Sequence, residues 1–318
     1  MTTGRTAAAP IRLITRADDA GSNHTANAAI RECLEIGFLK NVSVMAVGFA
    51  VEEAAEMLAG FPGVCFGLHT CVNAEWDAVR WGPVLPPDLV PTLVDDQGHF
   101  FKTTKALHEN APSEEQVFAE LEAQLARLRG LGFDLKYADM HMGWGWVIPG
   151  FDARFDAWCT RHGLFHNRHR HRGLPEVAGE SGDPVARFVA RLTAAEPGQY
   201  AVVGHPAYDN EEMRALGHAG YPGEVVASGR EWERRLFADP RVLDLWRSGR
   251  VEPLRHDEAA ELSARRAAAV SGSAGKNDSM ASSERVTSTA EPKTVVALMK
   301  DSTPWPVRSR SGTAMPPK

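Results

Sequence analysis

The sequence predicts an α/β fold of about seven parallel strands joined by outer helices. Short apolar runs alternate with amphipathic segments from Ile11 to Leu254, the pattern of strands with crossover helices. Several apolar runs end in Asp or His, and strand ends are where α/β folds carry their chemistry. The chain has 318 residues, 43% hydrophobic and 24% charged, which suits one large α/β domain or two modest ones. The alternation by itself allows either a barrel or a doubly wound sheet.

The first strand is expected at Ile11-Arg12-Leu13-Ile14-Thr15, followed by Arg16-Ala17-Asp18-Asp19-Ala20-Gly21-Ser22. A helix then runs from Asn23 to Gly37, with Gly37 as its stop. Val42–Val47 reads as the second strand, Val51–Ala59 as a short helix and Val64–His69 as the third strand. Patterning fades from Thr70 to Asn110, where Trp76, Trp81 and several prolines suggest a lid or a substrate wall. Ser113 and Gln116 form a capping box for a helix to Gly130, along which Val117, Leu121, Leu125 and Leu128 repeat at helical spacing. Lys136–His141 is the fourth strand, Phe151–Arg161 a helix, and Leu164–His166 a short strand. The His166–Arg172 stretch reads as a solvated loop, because its arginines would repel a cation. Pro184–Ala195 is a helix and Tyr200–Pro206 a strand; Ser228 and Glu231 form a second capping box before a helix that continues to Trp246. Val251–Leu254 is the last strand.

The expected organisation is a flexible N-terminus at 1–10, one folded domain at 11–260 and a disordered tail at 261–318. The tail is rich in Ala, Ser, Thr, Lys and Pro, and it cannot bury enough apolar surface to offset its ordering entropy. A net charge of -6 gives no electrostatic footprint for nucleic acid. No apolar run reaches membrane-spanning length, and Met1–Pro10 lacks the apolar region of a signal peptide. Four cysteines without a CxxC pair do not make a disulfide framework. A cytoplasmic protein is therefore expected, with a homodimer left open.

If the strands are parallel, Asp18, Asp19, His69, Asp139, His141 and His205 converge at one sheet edge. Adjacent carboxylates repel, and a cation relieves that repulsion. Asp19, His69 and His141 offer one carboxylate and two imidazoles, a donor set for Zn²⁺, or for Mg²⁺ or another first-row divalent ion. Asp18 is then free to act as general base, and His205 as general acid or as the residue that orients a substrate oxygen. Asp139 stands two residues before His141 on the same strand side and is placed to orient a metal-binding imidazole. Trp144 and Trp146 are candidates for stacking on a sugar or an aromatic aglycone, with core packing as the alternative.

These residues, as Ala17-Asp18-Asp19-Ala20-Gly21, Gly67-Leu68-His69, Asp139-Met140-His141 and Gly204-His205-Pro206, resemble the YdjC/ChbG-like carbohydrate deacetylases over Ile11 to Leu254. The resemblance implies a (β/α)-barrel-like fold and metal-dependent removal of acetyl groups from N-acetylated sugars. It matches Asp19, His69 and His141 to the metal ligands, Asp18 to the base and His205 to a histidine near the leaving group. Two departures stand out. Ala20 occupies a position that is usually Phe, and His141-Met142-Gly143-Trp144-Gly145-Trp146 replaces a run of histidines. The partner expected is a small N-acyl substrate, a sugar first. The alternatives are a metal-dependent amidase for a non-sugar N-acyl compound and a non-catalytic carbohydrate-binding barrel.

Overall fold

The computed structural model describes residues 9–166, 171–178 and 182–259. The N-terminal residues 1–8, most of the Arg/His stretch and the expected tail lie outside the described residues. Among those described, seven strands form one sheet: β1 Ile11–Ala20, β2 Asn41–Val44, β3 Cys65–Thr70, β4 Leu135–Met140, β5 Phe165–His166, β6 Gly198–Gly204 and β7 Val251–Leu254. Every pairing between these strands is parallel, in the order β5-β4-β3-β2-β1-β6 with β7 also on β1. Beyond β5, Arg172 makes a parallel bridge to Tyr200 of β6, so the sheet curls into a half-barrel rather than lying open as a doubly wound one. The helices are α1 His24–Ile36, α2 Val51–Leu58, α3 Thr104–Glu109, α4 Glu114–Gly130, α5 Phe151–Arg161, α6 Pro184–Ala194, α7 Glu211–Arg214, α8 Gly223–Ala238 and α9 Pro240–Arg247.

Local chemistry explains the boundaries. The Asn23 side chain accepts from Ala26 N at the start of α1, and Gly37 ends the helix in the left-handed conformation that favours glycine. Residues of β2 and β3 are buried throughout, as expected where both faces of a parallel sheet are covered. β2 stops at Val44, short of the expected Val47, because the next turn carries Gly48 onto the backbone of Gly21. A Cβ at Gly48 would stand 2.0 Å from Gly21 O.

Two expected caps differ. Ser113 accepts from Gln116 N, but the Gln116 side chain does not reach back to it; Oε1 accepts instead from Thr92 N at 2.9 Å. Ser228 is not a cap, because α8 already starts at Gly223, after Pro222, and Ser228 lies inside it. A new helix, α9, begins at Pro240 with Asp239 as its cap.

The polar face of α4 explains how a patternless segment holds its shape. Glu120, fully buried, accepts from Val84 N and Leu85 N, and Gln124 exchanges hydrogen bonds with the backbone of Cys71. With Gln116 these residues stand four apart on one helix face. They pin the stretch from Cys71 to Thr92 as a fixed wall.

At Gly67 the register places the Tyr137 ring where a side chain would project, with a Cβ 2.2 Å from Tyr137 Cε2. Gly67→Ala is expected to lower stability by about 1–3 kcal/mol through overpacking, read from urea unfolding. Wild-type stability would show that the ring moves aside freely.

Candidate metal centre and active site

The site begins with an irregularity in β1. Between Ala17 and Ala20 the strand advances three residues while β2 advances two, from Val42 to Val44. The extra residue is a β-bulge, and Asp19 takes it up with a φ of 66°. In a regular strand Asp18 and Asp19 would point to opposite faces. Here both line one cleft. Aspartate tolerates the left-handed region better than most residues, so ligand chemistry and backbone demand coincide at this position.

Asp19 Oδ1 lies 3.4 Å from His69 Nε2 and 3.4 Å from His141 Nδ1, and these nitrogens are 3.3 Å apart. Donors so spaced form one face of a tetrahedron whose centre is about 2.0–2.1 Å from each, the usual zinc distance to nitrogen and oxygen. Asp19 Oδ1 is buried and has no hydrogen-bond partner. An orphaned oxygen between two imidazole nitrogens fits a cation site.

Carboxylates fix which nitrogens face inward. β3 and β4 register His69 opposite Asp139, and His69 Nδ1 donates to Asp139 Oδ1 at 2.7 Å. That leaves Nε2 with its lone pair toward Asp19. His141 Nε2 lies 3.0 Å from Glu75 Oε2, which leaves Nδ1 inward in the same way. Ser43 Oγ donates to the other oxygen of Asp139 at 2.8 Å.

Asp18 pairs with Arg16. Nη2 donates to Asp18 Oδ2 at 2.8 Å, Nε lies 2.7 Å from Oδ1, and Nη1 lies 2.8 Å from Asp139 Oδ2. Despite the 2.7 Å contact, the alignment leaves Asp18 Oδ1 without a hydrogen bond. Burial pushes the Asp18 carboxyl up against the pull of Arg16. Asp19 goes the other way: burial is outweighed by His141, His69 and Arg230, which hold it well below the usual carboxylate range.

Five carboxylates (Asp18, Asp19, Asp139, Glu75 and Glu233) stand against two guanidinium groups, Arg16 and Arg230. A divalent cation held by neutral imidazoles would relieve the repulsion among these carboxylates. Protons can take the cation's place. Burial lowers both imidazoles, but Asp139 and Asp18 around His69, and Glu75 beside His141, raise them well above the ordinary value. A cation must therefore displace these protons. Metal affinity is expected to fall on acidification by up to about tenfold per pH unit for each displaced proton, measured by competition with a chromophoric chelator. A flat profile across the neutral range would contradict it.

The cleft beside the triad is lined by Asp18, Asp19, Trp76, Trp81, His205 and Arg230 among others. Trp81 is held by a hydrogen bond from Nε1 to Asn73 O, and Trp76 stacks on His218. His205 is oriented by Glu233, whose Oε2 accepts from the His205 backbone at 2.6 Å and lies 3.1 Å from Nδ1. Burial pushes Glu233 up to about 7, although Arg230 opposes it.

The structure thus brings Asp18, Asp19, His69, Asp139, His141 and His205 to one place. It does not bring Trp144 or Trp146 to the cleft lining. Trp144 is fully buried against Phe151 and Phe155, with Nε1 donating to Thr70 O. Trp146 is 52% exposed and packs on His108. Glu75 carries no signal in sequence that marks it as a site residue. Arg16 does, since it stands two residues before Asp18 on the same strand side.

Comparison with known proteins agrees with this architecture. The family described as YdjC-like protein matches residues 12–248. A relative named carbohydrate deacetylase in Thermoanaerobacter pseudethanolicus is 25% identical over 251 residues, covering 75% of this chain and 95% of its own. Another carbohydrate deacetylase, from Halalkalibacterium halodurans, is 28% identical over 225 residues, covering 66% and 90%. A crystal structure of a candidate cellobiose-phosphate cleavage protein from Enterococcus faecalis V583 superposes with a TM-score of 0.63 at 17% identity, covering 79% of this chain and 99% of that one. At that identity the likeness speaks for the fold.

Proposed function

The chain belongs to the YdjC-like protein family, and from that premise we propose that it is a metal-dependent carbohydrate deacetylase, removing the acetyl group from an N-acetylated sugar. The names of its relatives support the substrate class. The observation that carries the chemistry is the buried triangle of Asp19, His69 and His141 with a second carboxylate, Asp18, beside it.

Asp19, His69 and His141 would hold the ion, Zn²⁺ first for its two nitrogen donors, with Mg²⁺ or another first-row divalent ion next. When bound, it supplies a Lewis acid that activates water and polarises the amide carbonyl. Asp18 receives the proton of the attacking water on Oδ1, the oxygen left without a hydrogen bond. Arg16 holds that carboxylate in place. Glu233 fixes His205 through Nδ1, leaving Nε2 to protonate the departing amine. Residues 11–260 form the catalytic domain in this reading. The four cysteines are all buried and free, which supports a cytoplasmic location.

Acetate release from N-acetylglucosamine oligosaccharides, lost on chelation and restored by Zn²⁺, is the expected result. Parallel assay of non-sugar N-acyl amides tests the second reading. Apolar lining from Trp76, Trp81, Met213 and Leu216 favours that reading if the sugars prove inert. Saccharide binding without acetate release at saturating metal would instead point to a binding module.

A further inference from the structure

We propose that Arg230 is a catalytic residue that donates hydrogen bonds to the acetyl carbonyl oxygen as that oxygen gains negative charge. The inference rests on the deacetylase reading above. Arg230 projects from α8 into the cleft that holds Asp18, Asp19 and His205, and its side chain is only 14% exposed. Among the described residues its contacts are two ion pairs: Nη2 to Asp19 Oδ2 at 3.2 Å and Nη1 to Glu233 Oε2 at 4.0 Å. Nη1 is buried without a hydrogen bond. By contrast, the other guanidinium of the site, Arg16, has close carboxylate contacts on Asp18 and Asp139.

A largely buried guanidinium with five N–H donors and so few acceptors is costly unless a ligand completes it. Its place suits one substrate atom. Arg230 lines the cleft that Asp18, Asp19 and His205 share and contacts Asp19, so it faces an acyl group seated between the proposed base and the proposed acid. In hydrolysis, an oxygen–carbon bond forms from water while a water proton passes to Asp18. The carbonyl π pair moves onto oxygen, where Arg230 meets the new charge with charged donors. When that pair returns, the carbon–nitrogen bond breaks. The amine leaves with a proton from His205 Nε2, and the acetic acid formed gives up its own proton as acetate facing the same guanidinium.

The test compares zinc-loaded wild type, Arg230→Gln and Arg230→Lys for kcat, KM, metal affinity and acetate affinity by titration calorimetry. Arg230→Gln is expected to lower kcat about 10²–10³-fold and to weaken acetate binding, with metal affinity unchanged and partial recovery in Arg230→Lys. A parallel loss of metal affinity would overturn the proposal, leaving Arg230 as a counter-ion that positions Asp19. Unchanged kcat and acetate affinity, or a change confined to KM, would overturn it too. If the wild type releases no acetate from any N-acetylated sugar, the deacetylase reading falls. Acetate affinity then still decides the case for Arg230: equal binding by wild type and Arg230→Gln refutes it, and loss in the variant supports a built anion contact.

Discussion

Asp18→Asn is expected to reduce turnover about 10²–10⁴-fold while leaving metal content at the wild-type level. The amide keeps the shape of the carboxylate and an oxygen to accept from Arg16 Nη2, so the buried guanidinium retains a partner. What it loses is the capacity to take a proton. Asn is the informative change because Ala would leave Arg16 facing Asp139 alone, and breaking a buried ion pair costs about 3–5 kcal/mol. Turnover, metal stoichiometry and the thermal midpoint measured on one preparation separate loss of the base from loss of the fold. Wild-type turnover in Asp18→Asn would remove Asp18 from the chemistry.

The second large effect is expected at the imidazoles. His69→Ala and His141→Ala should each yield protein that does not retain a stoichiometric cation through gel filtration, with activity lost in parallel. Each change removes one of three converging donors and takes from a carboxylate, Asp139 or Glu75, the imidazole it orients, although Asp139 keeps Arg16 and Ser43. Glu75→Gln should be milder, about 10–100-fold in metal affinity, since the amide oxygen still accepts from Nε2. Full metal content and activity in both histidine variants, after chelation and repletion, would place the centre elsewhere.

Much of this arrangement was legible before any coordinates. Strand-end positions pointed to Asp18, Asp19, His69, Asp139, His141 and His205, because parallel strands deliver their C-terminal ends to one edge. Trp76 and Trp81, in the segment whose composition suggests a lid or a substrate wall, line the cleft. Other features were out of reach. Glu75 sits in a stretch without periodicity, and its contact with His141 spans 66 positions. Ser228 satisfied a capping pattern but lies inside a helix, because Pro222 and Gly223 start α8 earlier. The contrast between Trp144 and Trp146 turns on the short helical turn that carries them, in which Met142 and Gly143 both adopt positive φ.

The sequence alone determined the alternation of strands and helices, and with it a parallel sheet edge that gathers the acids and imidazoles, because apolar periodicity separates the segments that form the sheet from those that cover it; the curl into a half-barrel came from the tertiary pairing of Arg172 with Tyr200. Only the tertiary structure decided that Asp18 and Asp19 face the same way, that Glu75 orients His141, and that Arg230 is left with few acceptors. Those outcomes depend on a one-residue bulge and on contacts between segments far apart in the chain, and a linear pattern carries no record of either.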